Sequence, residues 1–264
     1  MWASAKTAIE GLADRLGYRV LPKWRLPNLE FANHLRQLFW KYQIECVVDV
    51  GANAGHYGRF LRHEVGYDGL IVSIEPLPRC FARLAETAAG DPDWMVLNCA
   101  LGATAGQAQL NEMAYDQLSS FLEPKHDQAP HMAPLNQVRG RVPVQVRRLD
   151  AVLTDIEACR PLGPIYLKLD TQGFDLKVVA GAGSIIERVC GLQTEVSIVP
   201  IYHAMTDWRS AIGALEELGF ELSGLWAVNR DPALRAVEFD CVMVRAARCR
   251  RDGMPLSGRN DVRD

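Results

Sequence analysis

With 264 residues, 48% of them hydrophobic and 23% charged, the chain has the make-up of a soluble globular protein with room for a sizeable core. Its net charge of −3 supplies no overall pull toward nucleic acid or an anionic membrane. No apolar run approaches the ~20 residues of a membrane span.

The N-terminus lacks the apolar centre of a signal peptide, and Glu10 and Asp14 argue against a transit peptide. The seven cysteines are scattered, without a C-x-x-C pair. Cys46, Cys99, Cys190 and Cys241 sit in or beside apolar segments and read as buried free thiols of a reducing compartment. A cytoplasmic location is the expectation, with no metal site and no disulfide framework.

Residues 1–43 read as a helical extension. Ile9, Leu12 and Leu16 form one apolar stripe, and Leu35, Leu38, Phe39 and Tyr42 form another, with Pro22 and Pro27 between them. The second helix is expected to pack on the main domain. The first is a lid or a homodimer contact. From about 44 to 246 the chain alternates strands and helices, which implies a parallel sheet with right-handed crossovers. Strands are expected at about 45–50, 69–75, 94–100, 165–170 and 191–197, with helices at about 55–64, 78–88, 149–158, 175–180 and 208–218. Residues 103–148 interrupt this rhythm with two added strands (107–113 and 142–148) and a long loop through Pro124, Pro130 and Pro134. Segments 220–228 and 237–245, joined by a loop alone, should pair as an antiparallel hairpin. Residues 247–264 read as a loose tail.

The central stretch is Val47-Val-Asp49-Val-Gly51-Ala-Asn53-Ala-Gly55-His-Tyr57-Gly58. Strand, glycine turn and helix make the front of a nucleotide-type site. Its glycines do not follow the dinucleotide spacing, and Asn53 stands where a pyrophosphate needs bare backbone. A nucleoside ligand without phosphates suits the turn better. Ligands in such sheets bind beyond the carboxyl ends of the strands. Those ends carry Asp49, then Glu75, 24 residues after Gly51 and placed to accept hydrogen bonds from a ribose diol. Asn98, Cys99 and Ala100 follow, placed to meet an adenine, and then Asp170 and Glu195. Buried carboxylates are costly without positive partners. A cationic nucleoside lowers that cost, and S-adenosylmethionine carries both a sulfonium and an ammonium.

The segments Val48-Asp-Val-Gly-Ala-Asn-Ala-Gly55, Glu75-Pro76, Asn98-Cys-Ala-Leu-Gly102, Leu149-Asp150, Leu167-Lys-Leu-Asp170-Thr-Gln-Gly173-Phe-Asp175 and Gly181-Ala182 resemble, in this order, the FkbM family of S-adenosylmethionine-dependent methyltransferases. The resemblance spans about 45–245, and the Lys168–Asp175 block is its most specific part. It implies a Rossmann-like, seven-stranded class I α/β sheet with the antiparallel terminal hairpin. It also implies S-adenosylhomocysteine as product and O-methylation of a small-molecule or glycan acceptor, a sugar or a secondary metabolite. Two departures stand out. Gly58 replaces the family's Ser or Thr, and Thr171-Gln172 replaces its Val-Glu, removing a carboxylate beside the active site.

The expected donor-site residues are Asp49, Gly51, Ala52, Asn53, Gly55, Tyr57, Glu75, Pro76, Asn98, Ala100, Ser120 and Asp170. For the chemistry, Asp170 should lie nearest the methyl, and Glu195 and His203 are candidate bases. Lys168 shares a strand side with Asp170. Pairing of Lys168 with Glu195 would take Glu195 out of the reaction. His126 and His131 are candidates for shaping the acceptor pocket. A nucleic-acid methyltransferase is disfavoured because the chain lacks an Asn/Asp-Pro-Pro-aromatic motif and a basic balance. Asn53 and the hairpin disfavour a nicotinamide dehydrogenase. The intact turn, Glu75 and Asp170 disfavour a donor-binding module without catalysis.

Overall fold

The computed structural model describes residues 12–13, 15–18, 20, 22–23 and 26–245. In chain order its first elements are α1 (Leu29–Tyr42), β1 (Cys46–Val50), α2 (His56–Phe60, running on as a π-helical turn over Leu61–Val65), β2 (Leu70–Ile74), α3 (Pro78–Ala88) and β3 (Trp94–Leu97). Next come β4 (Ala100–Leu101), β5 (Gly106–Met113), β6 (Val138–Arg147), α4 (Leu149–Glu157), β7 (Ile165–Leu169) and α5 (Asp175–Ala180). The last are β8 (Val189–Ser197), α6 (Trp208–Glu217), β9 (Glu221–Arg230) and β10 (Ala236–Val244).

Strands β1, β2 and β7 are buried at every residue, as parallel strands covered on both faces must be. They lie at the centre of a seven-stranded sheet of order β3-β2-β1-β7-β8-β10-β9. The first five of these strands are parallel. β10 runs antiparallel to β8 and β9 and lies between them, which is the expected terminal hairpin. Side chains alternate across the sheet. Val48, Val72 and Leu167 pack under Leu149 and Val152 of α4, Val178 of α5 and Leu215 of α6. Val47, Ile71 and Tyr166 face Leu35 and Phe39 of α1, Leu61, and Leu84 of α3. The stripe on α1 therefore packs on the sheet as read. Of the first stripe, Ile9 lies outside the described residues, while Leu12 and Leu16 are exposed. The 247–264 tail also lies outside them.

The insertion folds as a three-stranded sheet of order β4-β6-β5. Its inner face packs Leu110, Val144 and Val146 on Leu77 and Cys80 of the main domain. The strand expected over 94–100 is split. It leaves the main sheet after Leu97, because Asn98 turns to give its amide to the carbonyls of Glu75 (2.8 Å) and Pro76 (3.1 Å). Ala100 and Leu101 then pair with β6. Cys46, Cys99 and Cys241 are buried free thiols as expected; Cys190 is instead disulfide-bonded.

Gly58 has a steric cause. The Trp94 indole, held by an Nε1 hydrogen bond to Ser73 Oγ (3.0 Å), lies where a Cβ would stand, 2.1 Å from Cζ2. Gly58→Ser should therefore cost about 1–3 kcal/mol through overpacking. In a Trp94→Leu background the added cost should vanish. Denaturant unfolding of the four-member cycle reads this directly.

Candidate active site

The parallel register builds a polar row across the middle of the sheet. Ser73, Asp49, Lys168 and Gln193 are successive cross-strand partners on β2, β1, β7 and β8. All four face the α1–α3 side and are buried. The Lys168 ammonium stands 3.1 Å from Asp49 Oδ1 and 3.1 Å from Asp170 Oδ2, and 5.2 Å from the centre of the Tyr57 ring. Ser73 Oγ donates to Asp49 at 3.3 Å. Gln193 accepts from Tyr57 OH (2.7 Å) and donates to Asp240 (2.9 Å). Burial works against the charge on Lys168, yet Asp170 and Asp49 hold its pKa above the ordinary lysine value. The expected pairing of Lys168 with Glu195 is not made; its partners are Asp49 and Asp170.

The turn after β1 is shaped by close backbone approach. Gly51 has φ +80°, and a Cβ there would lie 2.0 Å from the Asp170 carbonyl oxygen. The N–H groups of Gly51 and Ala52 donate to Ile74 O. Asn53 adopts φ 46°, a left-handed conformation Asn tolerates, with its Oδ1 accepting from Ala54 N–H at 2.8 Å. Its own N–H donates to Glu75 Oε2 at 2.8 Å, so this amide is unavailable to a phosphate. Leu77 N–H takes Glu75 Oε1 at 2.8 Å. Burial pushes the Glu75 carboxyl up to about 7, against these two backbone donors, with Asp49 and Asp170 adding to the rise. One N–H per oxygen aims the carboxylate and leaves lone pairs for a vicinal diol.

Beyond β7 the chain passes through left-handed Gln172 (φ 53°) and Gly173 (φ 87°). Gln172 is buried, and its amide nitrogen donates both to Asp170 Oδ1 (2.9 Å) and to Glu195 Oε2 (2.8 Å). Its oxygen accepts from Tyr202 OH at 3.1 Å. Burial raises the Glu195 carboxyl well above the ordinary range, and the nearby Asp170, Glu238 and Asp240 raise it further.

These groups line a cavity of about 450 Å³ at the carboxyl end of the parallel strands. Among its described lining residues six are carboxylates, namely Glu64, Glu75, Asp116, Asp170, Glu195 and Asp240, and Lys168 alone is a lysine or arginine. Such a lining favours a cation. Of the residues expected from sequence, Gly51, Ala52, Asn53, Tyr57, Glu75, Pro76, Ala100, Lys168, Asp170 and Glu195 line the cavity.

The others stand behind it or elsewhere. Asp49 is fully buried beneath Lys168. Gly55 caps α2 and packs near Leu84 and Trp94. Asn98 ties down the end of β2. Buried Ser120 donates to the Gln172 carbonyl at 2.8 Å, while its neighbour Ser119 lines the cavity. His203 is exposed and outside the lining, its backbone N–H bound to Glu123 O. His126 bonds the Asn136 carbonyl and His131 is exposed, and neither reaches the cavity. Sequence reasoning did not single out Asp116, Gln193, Asp240, or the Phe121–Phe174 ring pair (4.9 Å) on the wall. A polar Gln193 within the otherwise apolar start of β8 was the one available signal.

A family model described as the methyltransferase FkbM domain matches residues 49–222, well over half of the chain. Solved structures similar to it include a methyltransferase FkbM from Methylobacillus flagellatus KT, at 17% identity and TM-score 0.48, covering 76% of this chain and 43% of that one. A SAM dependent methyltransferase from Aquifex aeolicus is 14% identical, with TM-score 0.40 and coverage of 84% and 94%. Magnesium protoporphyrin IX methyltransferase from Synechocystis PCC 6803, with bound SAM, is 8% identical, with TM-score 0.45 and coverage of 84% and 81%. The chain thus spans less than half the length of the Methylobacillus protein. No curated protein matches it in sequence. The family match and the acid-lined, nucleoside-type cavity agree: the chain belongs to the FkbM family of S-adenosylmethionine-dependent methyltransferases.

Proposed function

We propose that the protein methylates a hydroxyl of a small-molecule or glycan acceptor, a sugar or a secondary metabolite. The observation that carries this is the Asp170–Gln172–Glu195 arrangement, two carboxylates from neighbouring strand ends held by one amide at the cavity wall. S-adenosylmethionine, when bound, supplies a methyl already activated on a sulfonium. An alcohol acceptor must lose its proton as the oxygen–carbon bond forms. Glu195 is the base: it lines the cavity beside Asp170, tied to it through the Gln172 amide, and in its ionised form it accepts the hydroxyl proton. Lys168 does not serve, because Asp170 and Asp49 keep it protonated, and exposed His203 stands off the cavity. Asp170, with one oxygen toward Lys168 and the other toward Gln172, is left to hold the donor's ammonium. Glu75 holds the ribose diol, and Phe121 and Phe174 close the apolar end. The carboxylate lining repels phosphates, which disfavours nucleic acid as acceptor.

Incubating the protein with methyl-labelled donor and separated glycan, metabolite, RNA and protein fractions tests this. Label should enter a hydroxylated, phosphate-free acceptor as an ether stable to mild base. Base-labile ester or labelled RNA would contradict it. Glu195→Gln should lower turnover roughly 10²–10⁴-fold while donor affinity holds.

Glu75→Gln removes a charged acceptor of the ribose hydrogen bonds. Calorimetry should show S-adenosylhomocysteine affinity reduced roughly tenfold to hundredfold. In the wild type, ionised Glu75 accepts best, and its carboxyl titrates at about 7. Affinity should therefore rise as pH increases through 7, and this dependence should flatten in Glu75→Gln. The ligand-free protein should show the opposite trend in stability. Its folded carboxyl holds the proton more tightly than the unfolded one, so stability falls as pH rises from 4.5 toward 7.

A further inference from the structure

Gln172, which ties Glu195 to Asp170, is itself held by a residue that does not line the cavity. Both hydrogens of its amide nitrogen are used, on Asp170 Oδ1 (2.9 Å) and Glu195 Oε2 (2.8 Å). Its amide oxygen needs a donor of its own and meets the Tyr202 hydroxyl at 3.1 Å. Tyr202 is 1% exposed and stands outside the cavity lining. Burial, with Glu238, Glu195 and Asp170 nearby, raises its phenol pKa, so the hydroxyl keeps its proton. That one proton is shared between Gln172 and the Leu118 carbonyl at 2.5 Å. Leu118 ends the 3-10 turn Asp116–Leu118 of the insertion, whose Asp116 and Gln117 line the cavity. Backbone bonds fix Tyr202 to the same insertion: Lys125 N–H donates to Ile201 O and His203 N–H to Glu123 O, each at 2.8 Å. Ser120 Oγ holds the Gln172 carbonyl at 2.8 Å. Gln172 is thus gripped at its backbone by Ser120 and at its side chain by Tyr202.

We propose that Tyr202 is a positioning residue for methyl transfer: through the Gln172 amide, its hydroxyl fixes the aim of Glu195 and Asp170 and favours the ionised form of Glu195. The proposal rests on the hydroxyl-transfer function proposed above, with Glu195 as its base. Its direction follows from the donors and acceptors. While Tyr202 donates to the amide oxygen, Gln172 presents an N–H to Glu195, and an N–H stabilises a carboxylate. Without the hydroxyl, that oxygen becomes a buried acceptor with no donor, which costs free energy. Turning the amide over meets this only by facing the oxygen to Asp170 and Glu195, and a carboxyl must then take up a proton to meet it. The charged groups facing Glu195 do not all support its charge. Asp170 after β7, and Glu238 and Asp240 of β10, disfavour the ionised form, and Lys168 of β7 favours it. Gln172 is the neutral donor on Glu195, so its orientation weighs on whether the base is ready to accept a proton.

The test titrates the full chain, saturated with S-adenosylhomocysteine and isotope-labelled at the glutamate carboxyl carbons, by NMR. The Glu195 signal is assigned by its loss in Glu195→Gln. Tyr202→Phe keeps the ring and removes the hydroxyl, and in it the Glu195 midpoint should move up by about 0.5–1 pH unit. Gln172→Leu alone should also raise the midpoint, which reads the same relay where Tyr202→Phe does not fold. In the Gln172→Leu background, adding Tyr202→Phe should leave the midpoint where it is, because the relay is already cut. An unmoved midpoint in Tyr202→Phe or in Gln172→Leu, or a further rise on combining the two, would overturn the positioning role. A loss of stability with the midpoint unmoved would likewise reduce the hydroxyl to a structural one. Because the titration needs no acceptor, the two proposals fail separately. A raised midpoint with full turnover in Glu195→Gln would keep the relay and remove Glu195 as the base. An unmoved midpoint with turnover lost in Glu195→Gln would do the reverse.

Discussion

A single ammonium, that of Lys168, lies between Asp49 and Asp170 beneath the floor of the cavity, and the geometry of the site depends on it. Asp49 is fully buried and Lys168 nearly so. Removing one partner of such a group leaves an uncompensated charge and typically costs about 3–5 kcal/mol. The pairing also fixes position. Asp49 and Lys168 are cross-strand partners, and the Asp170 N–H donates to Val50 O at 3.0 Å. This locks the end of β7 to the start of the glycine turn. Gly51 then passes so close to the Asp170 carbonyl that only a residue without a Cβ fits. The turn, the Asp170 carboxylate and the Tyr57 ring over Lys168 are thus one unit.

That unit leaves the cavity short of positive charge. Among the described lining residues six carboxylates face one lysine ammonium, and that ammonium is shared with Asp49 below the floor. Burial is the largest cause of the raised Glu75, Glu195 and Asp240 carboxyls, and neighbouring carboxylates add to each. A cationic ligand would offset this excess of negative charge where it binds. Gln172 keeps two of these carboxylates apart in role while tying them in place.

The parts of the fold set by local pattern were legible in sequence. Val47–Val50 is valine apart from Asp49 and became a fully covered parallel strand. The two segments after α6, joined by a loop alone, paired as the antiparallel hairpin. Glu75 at the end of β2 was found from the glycine turn by spacing. What escaped was set by contacts distant in sequence. Nothing local marks Asn98 as the residue that ends β3, or Ser119 rather than Ser120 as the cavity-lining serine. His203 has the right chemistry and the wrong side of its loop. Phe31 and Phe60 meet only because α1 packs beside α2. Gln172 reads in sequence as a lost carboxylate. In the fold it is the amide that bridges the two carboxylates that are present, so its identity matters for what it donates.

The dependence of the site on the buried ammonium is open to one direct measurement. Lys168→Met keeps the length and apolar stem of the side chain and removes the charge. Unfolding free energy and S-adenosylhomocysteine affinity, measured on the same preparation, should fall together, the first by about 3–5 kcal/mol. A variant with wild-type stability and wild-type donor affinity would contradict the placement of Lys168 at the base of the site.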